Sequence, residues 1–237
     1  MADTDINILW HPSPNFNQRR DKKTPTILVQ HYTGMKNTQE ALARLCDPKV
    51  EVSAHYLIDE EGAVYQLVDE KKRAWHAGLG SWRGETDINS ASIGIEIVNP
   101  GHEFGYRQFS ERQMQSVISL SKSIVERHQI ASFNVIGHSD LAPGRKQDPG
   151  ELFDWKRLAE NGVGLWPEAV QSEGPVSDDD FRHALDVIGY EVGSENLQDV
   201  TAAFQRHWRQ EKVDGIADAE TRIMAKSIQN CVLRLTN

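Results

Sequence analysis

Cysteine is almost missing from this 237-residue chain: Cys46 and Cys231 are the only two. Thiols so far apart exclude a disulfide framework, and no Cys-based metal motif exists. Both read as half-buried free thiols. Long apolar runs are missing too. None approaches the ~18 residues that a spanning helix needs, so no membrane span is expected. There is no Lys/Arg-rich tract, and 35 acidic against 26 basic side chains leave a formal net charge of −9. Phosphate binding needs a basic footprint, so nucleic acid is not an expected partner. The opening stretch MADTDINILWHPSPNFNQRR has neither a basic n-region nor an apolar h-region. The expected location is therefore cytoplasmic, or periplasmic if the chain is already processed.

What the chain does have is two histidines that each close a short apolar run. His31 ends Thr26-Ile27-Leu28-Val29-Gln30-His31, and His138 ends Asn134-Val135-Ile136-Gly137-His138. Asp148 follows ten residues after His138, across a loop stiffened by Pro143 and Gly144. Two imidazoles on neighbouring strand ends and a carboxylate on such a loop form a three-ligand metal set. Three protein ligands leave a fourth position for water, the catalytic arrangement of zinc. Lys146 lies two residues before Asp148, so a cation reaches the same cavity.

Two rival chemistries fit less well. The iron oxygenase triad of two histidines and one carboxylate keeps a His and the carboxylate close together on a strand. Here a Pro/Gly loop separates them, in an α/β pattern. His138-Ser139-Asp140 is no serine triad, because adjacent side chains cannot line up and no G-x-S-x-G elbow exists. Asp140 reads as a turn residue holding its loop by Asx hydrogen bonds.

Around these residues the pattern is mixed α/β. Residues 26–31 read as a strand, and 52–59 with 63–68 as a hairpin around Glu61-Gly62. In residues 92–98, Ile93, Ile95 and Ile97 share one face and leave Glu96 on the other. Asn37-Thr38-Gln39-Glu40 and Ser110-Glu111-Arg112-Gln113 are capping signals. After the second, Met114, Val117, Ile118, Ser121, Ile124 and Val125 keep helical spacing. Residues 134–138 are the next strand, and Asp154-Trp155 starts a helix. Strands alternating with helices predict a central sheet flanked by helices over residues 1–160. Residues 161–177 read as a linker.

Residues 178–237 read as a small three-helix domain. Ser177 caps the first helix, with Phe181, Leu185 and Ile188 on one face and Gly189 as its stop. Leu197, Val200, Phe204 and Trp208 form the stripe of the second. Ile223, Met224, Ile228 and Val232 are expected to face inward on the third.

The stretches ILVQHYTG (28–34), VSAHYLIDEEGAVYQLV (52–68), AWHAG (74–78), SIGIEIVNP (92–100) and GHSDLAPGRKQDPG (137–150) occur in one order. Together they resemble the type-2, zinc-dependent N-acetylmuramoyl-L-alanine amidases, relatives of phage lysozyme-amidases and of animal peptidoglycan recognition proteins. The resemblance covers roughly residues 8–160. It implies Zn2+ on His31, His138 and Asp148, Glu96 as general base and Lys146 at the oxyanion. Trp75 and His76 would wall the substrate groove, extended by Trp82. Where some phage relatives carry a tyrosine, this chain has Ala54, which places more weight on Glu96. His55 reads as a packing and hydrogen-bonding residue.

The implied substrate is the amide between the lactyl group of N-acetylmuramic acid and L-alanine. It would be cleaved in bacterial cell-wall peptidoglycan or in a soluble anhydro-muropeptide. The alternative function is non-catalytic peptidoglycan binding on the same fold, and Asp148 with Lys146 argues for catalysis. The segment VTAAFQRHW…VDGIADAET resembles a peptidoglycan-binding module, departing from it at Asp218. The competing expectation is that Phe181, Leu185, Phe204 and Trp208 pack on the catalytic domain and brace it.

Overall fold

The computed structural model describes residues 6–170 and 174–236. Its strands are β1 (Ile8–Trp10), β2 (Phe16–Gln18), β3 (Ile27–Tyr32), β4 (Tyr56–Ile58), β5 (Val64–Gln66), β6 (Lys72–Ala74), β7 (Ser92–Ile97) and β8 (Val135–Gly137). The helices are α1 (Thr38–Leu45), α2 (Ile88–Ala91), α3 (Gly101–Phe104), α4 (Glu111–His128), α5 (His138–Leu141), α6 (Trp155–Glu160), α7 (Asp178–Ile188), α8 (Leu197–Trp208) and α9 (Ala219–Thr236).

Six strands form one mixed sheet in the order β1-β5-β4-β7-β3-β8, while β2 pairs with β6 in a ribbon of its own. Within the large sheet β4 and β5 are antiparallel, the expected hairpin with shorter strands. β7 and β8 run parallel to β3 on either side of it. This is the mixed sheet flanked by helices that the alternation predicted. The caps are also as read. The Asn37 side chain accepts from the Glu40 amide, and Ser110 with Gln113 closes a reciprocal capping box. Two orphan donors of α4 are thereby satisfied.

The sheet is buried on both faces. On one, Leu28, Ile93, Ile95, Ile97 and Val135 pack with Met114, Val117, Leu120 and Ile124 of α4. On the other, Ile27, Val29 and Ile136 belong to a cluster with Trp82, Ile88 and Leu141. That second cluster continues into Phe181, Leu185, Tyr190, Phe204, Trp208 and Ile228. The C-terminal helices thus share a core with the sheet, and the four residues of the bracing expectation are in it. Burial of this apolar area stabilises both parts at ~25 cal/mol per Å².

The segment 161–177 is not a free spacer along its first stretch: Val163 is buried, and Leu165 and Trp166 pack against the core. Residues 171–173 of that segment lie outside the described residues. On α9 the buried stripe is Ala225, Ile228 and Val232, whereas Ile223 and Met224 are only half-buried. Cys46 and Cys231 are free and half-buried.

Candidate metal centre and active site

Register sets the site. His31 on β3 is paired with Glu96 on β7, so both side chains project from the same face near the carboxyl ends of parallel strands. Open α/β sheets place ligands at that edge. The next strand, β8, stops at Gly137, one residue earlier than expected, and His138 is the first residue of α5. The Ser139 amide then donates to the Asp148 carbonyl at 2.9 Å, folding the Pro/Gly loop back onto that turn.

Three donor atoms converge. His31 Nδ1 lies 3.0 Å from His138 Nδ1 and 2.9 Å from Asp148 Oδ2, and His138 Nδ1 lies 3.0 Å from the same oxygen. His31, His138 and Asp148 are buried, and among the described residues they are the group able to hold a metal ion. Their outer hydrogen bonds decide which nitrogens carry protons. His138 Nε2–H donates to the Ala77 carbonyl at 2.8 Å. The Ser92 hydroxyl donates to the Ile88 carbonyl at 2.6 Å, so its oxygen accepts from His76 Nε2–H at 3.2 Å. His76 Nδ1 is then left to accept from His31 Nε2–H at 3.0 Å.

Both Nδ1 lone pairs therefore point at a carboxylate oxygen. Burial pushes the His31 imidazole down to about 4, so it is neutral at pH 7. Three electron-rich atoms about 3 Å apart repel unless a cation lies among them. Two imidazole nitrogens and one carboxylate oxygen suit zinc, and hydrogen bonds behind each imidazole are the usual outer support of such ligands.

His138 and Asp148 of the triad open on a cavity of about 480 Å³. Trp75, His76, Glu96 and Lys146 line it together with His138 and Asp148, so the structure brings the predicted residues to one place. Glu96 Oε2 is buried and, among the described residues, has no hydrogen-bond partner. Burial first, and the Asp148 charge second, raise its carboxyl well above the ordinary value, against the pull of Lys146. Lys146 is half-buried, with its backbone amide bonded to the Ala142 carbonyl. Arg44, Glu103 and Arg145 add charge of both signs to the lining.

Some placements differ from expectation. His76 lines the cavity as expected, but its ring is largely buried with both nitrogens in the chain from His31 to Ser92, so it also supports a ligand. Trp82 does not extend the wall: it is 1% exposed and stands edge-on to Tyr190 in the shared core. Trp75 is half-buried and does reach the cavity. His55 is buried, accepting from the Gly94 amide and bonding the Lys72 carbonyl, a supporting role as read. The position of His76 had a sequence signal. Gly94 interrupts the β7 alternation, and a Cβ there would lie 2.5 Å from the His76 ring. A glycine inside a strand marks such a close approach.

A family model described as N-acetylmuramoyl-L-alanine amidase matches residues 21–151. N-acetylmuramoyl-L-alanine amidase AmiD of Escherichia coli (strain K12) is 37% identical over 227 residues, 85% of this chain and 81% of AmiD. This chain belongs to the N-acetylmuramoyl-L-alanine amidase family. Amidases of this family are zinc-dependent in general, and the His31–His138–Asp148 group is a possible metal site. The solved complex of E. coli AmiD with anhydro-N-acetylmuramic acid-L-Ala-D-gamma-Glu-L-Lys is similar to this amidase at a TM-score of 0.80 and 35% identity. That match covers 91% of this chain and 93% of the AmiD chain. AmpDh3 of Pseudomonas aeruginosa, in complex with anhydromuramic pentapeptide, is similar over 98% of both chains, with a TM-score of 0.80 and 29% identity. The 1,6-anhydro-N-acetylmuramyl-L-alanine amidase AmpD of E. coli (strain K12) is 34% identical over 62% of this chain and 87% of its own length.

Proposed function

We propose that this chain hydrolyses the amide between N-acetylmuramic acid and L-alanine in peptidoglycan or its soluble anhydro-muropeptides, with zinc held by His31, His138 and Asp148. The observation that carries this reading is the convergence of His31 Nδ1, His138 Nδ1 and Asp148 Oδ2 beside Glu96 and Lys146 at one cavity. Its family membership supports the bond that is cleaved, and the relatives solved with anhydromuramyl peptides support the class of substrate.

A zinc ion in this seat supplies Lewis acidity, polarising the scissile carbonyl and making water acidic enough to attack near neutral pH. The protein does the rest. Glu96 faces the same cavity with an unpartnered oxygen and a raised pKa. It takes the proton of the attacking water and returns it to the leaving amine, work that suits a carboxylate tuned toward neutrality. Lys146 presents positive charge to the oxygen that becomes anionic. Trp75 offers an aromatic surface to the substrate at the rim.

Two measurements test the reading. Elemental analysis of the purified protein is expected to give one zinc per chain, lost in His138→Ala; equal zinc in both overturns the ligand set. Mass spectrometry of sacculi and of soluble muropeptides after incubation is expected to show free peptide beginning with L-alanine. Binding of either substrate without any product would make the chain a peptidoglycan-binding protein instead.

A further inference from the structure

Asp140 stands two residues after His138 in α5, and its side chain is fully buried. Its Oδ2 accepts from the Gly137 amide at 2.7 Å, a bond back to the residue that caps α5 rather than the Asx turn expected of it. The same oxygen also accepts from His207 Nδ1 at 2.7 Å, and Oδ1 accepts from the Tyr190 hydroxyl at 2.6 Å. Two of these three donors therefore come from the C-terminal region, 67 and 50 residues further along the chain. Neither donor is loosely held. The His207 ring is stacked between Trp155 and Trp208, with centroids 3.8 and 3.6 Å away. Tyr190 is buried edge-on against Trp82 at 5.1 Å. A buried carboxylate stripped of donors is strongly disfavoured, so these bonds hold α5 to the helices behind it.

What α5 does is passed to both ends of the metal seat. His138 is its first residue, and Ser139 ties it to the Asp148 backbone. Further along, Gly144 (φ +74°) presses so closely on α8 that a Cβ would lie 2.5 Å from Asp199 Oδ2. The loop bearing Lys146 and Asp148 thus rests directly on the C-terminal helices. On the opposite flank, His138 is held by the Ala77 carbonyl. His138 has one support from each half of the molecule.

We propose that Tyr190 and His207 are positioning residues of the metal seat: acting through Asp140, they fix the α5 turn and with it the spacing of His138 and Asp148. The proposal rests on the zinc amidase reading, and it makes the C-terminal helices part of the catalytic unit. General bracing would depend on buried apolar area alone; this role depends on one carboxylate and its two distant donors.

The test uses the full-length chain. Zinc affinity is measured by competition with a chromophoric chelator for wild type, Tyr190→Phe, His207→Ala and Ile228→Val. Tyr190→Phe keeps the ring and removes one donor, while Ile228→Val trims a methyl from the same core cluster on α9. Loss of an outer partner of a metal ligand weakens binding on the order of tenfold or more. Tyr190 and His207 act one bond further out, through Asp140, so Tyr190→Phe is expected to show a several-fold loss, His207→Ala a larger one approaching that size, and Ile228→Val none. In the metal-free protein, hydrogen exchange at the Gly137 amide is expected to quicken in Tyr190→Phe alone of the two conservative variants.

Wild-type zinc affinity in Tyr190→Phe, or an equal loss in Ile228→Val, would overturn the proposal. If His207→Ala does not fold, Tyr190→Phe decides by itself. If the wild type takes up no zinc, the amidase reading fails, and exchange at Gly137 still decides whether the two donors hold the turn.

Discussion

Replacing Glu96 by glutamine should move activity and stability in opposite directions. The carboxyl is nearly isosteric with the amide, so the β7 backbone and the isoleucine stripe on its other face need not shift. Turnover should fall on the order of 10²-fold or more, the loss expected for a missing general base. That is about 2.7 kcal/mol of barrier. Stability should rise. Glu96 Oε2 is buried without a partner among the described residues, and an unsatisfied buried polar group costs on the order of 1–3 kcal/mol, more when charged. The residue as a whole is half-buried, which favours the lower end, about 1 kcal/mol or 2–4 °C in melting temperature for a chain of this size.

The sign follows from linkage. A carboxyl whose folded pKa is raised above 4.5 disfavours the folded state only where it must ionise, at pH above that value. The gain in Glu96→Gln should therefore be present at pH 7 and vanish near pH 4. Calorimetry of the metal-free proteins at both pH values, beside turnover of the zinc-loaded ones, is the assay. Turnover within a few-fold of wild type would refute the base assignment. A lower melting temperature at pH 7 would show that Glu96 is a satisfied structural group and refute the burial argument.

Lys146→Ala should retain zinc and fold while losing turnover on the scale of ~3 kcal/mol, that of a lost oxyanion partner; unchanged kcat would remove Lys146 from the mechanism. Glu70 is held down to about 2 because, against the cost of its burial, it accepts hydrogen bonds from Arg127, His128 and Tyr56. Its contribution, roughly 2–3 kcal/mol, should be complete above about pH 5 and disappear as pH falls toward 2. Urea midpoints of Glu70→Gln should accordingly fall below wild type at pH 7 and meet it near pH 2. Truncation at Pro175 uncovers the sheet face that Phe181, Leu185, Phe204 and Trp208 complete. Melting temperature should drop, and activity should fall equally on sacculi and on soluble muropeptides. A stable truncated protein that loses only sacculus activity would instead make these helices a separate wall-binding module.

The sequence by itself determined the elements and half of the site. Alternation in 92–98 was enough to set Glu96 apart from Ile93, Ile95 and Ile97, because side chains along a strand have a period of two whatever surrounds them. Asn37, Ser110 and Ser177 marked helix starts for a similarly local reason: a cap satisfies donors within its own first turn. His31, His138 and Asp148 were legible as ligand types closing apolar runs. Only the tertiary structure decided how they are held. The proton arrangement that turns both Nδ1 atoms inward depends on Ala77, His76 and Ser92, which packing brings behind the ligands. Trp82 was expected to extend the groove wall, but it packs in the core shared with α7 and α8. Asp140 read as a local turn residue, but not as the partner of Tyr190 and His207, since no periodicity links residues 50 or 67 positions apart. Local rules specify which groups seek partners, while the burial of two apolar faces against each other selects which partners they meet.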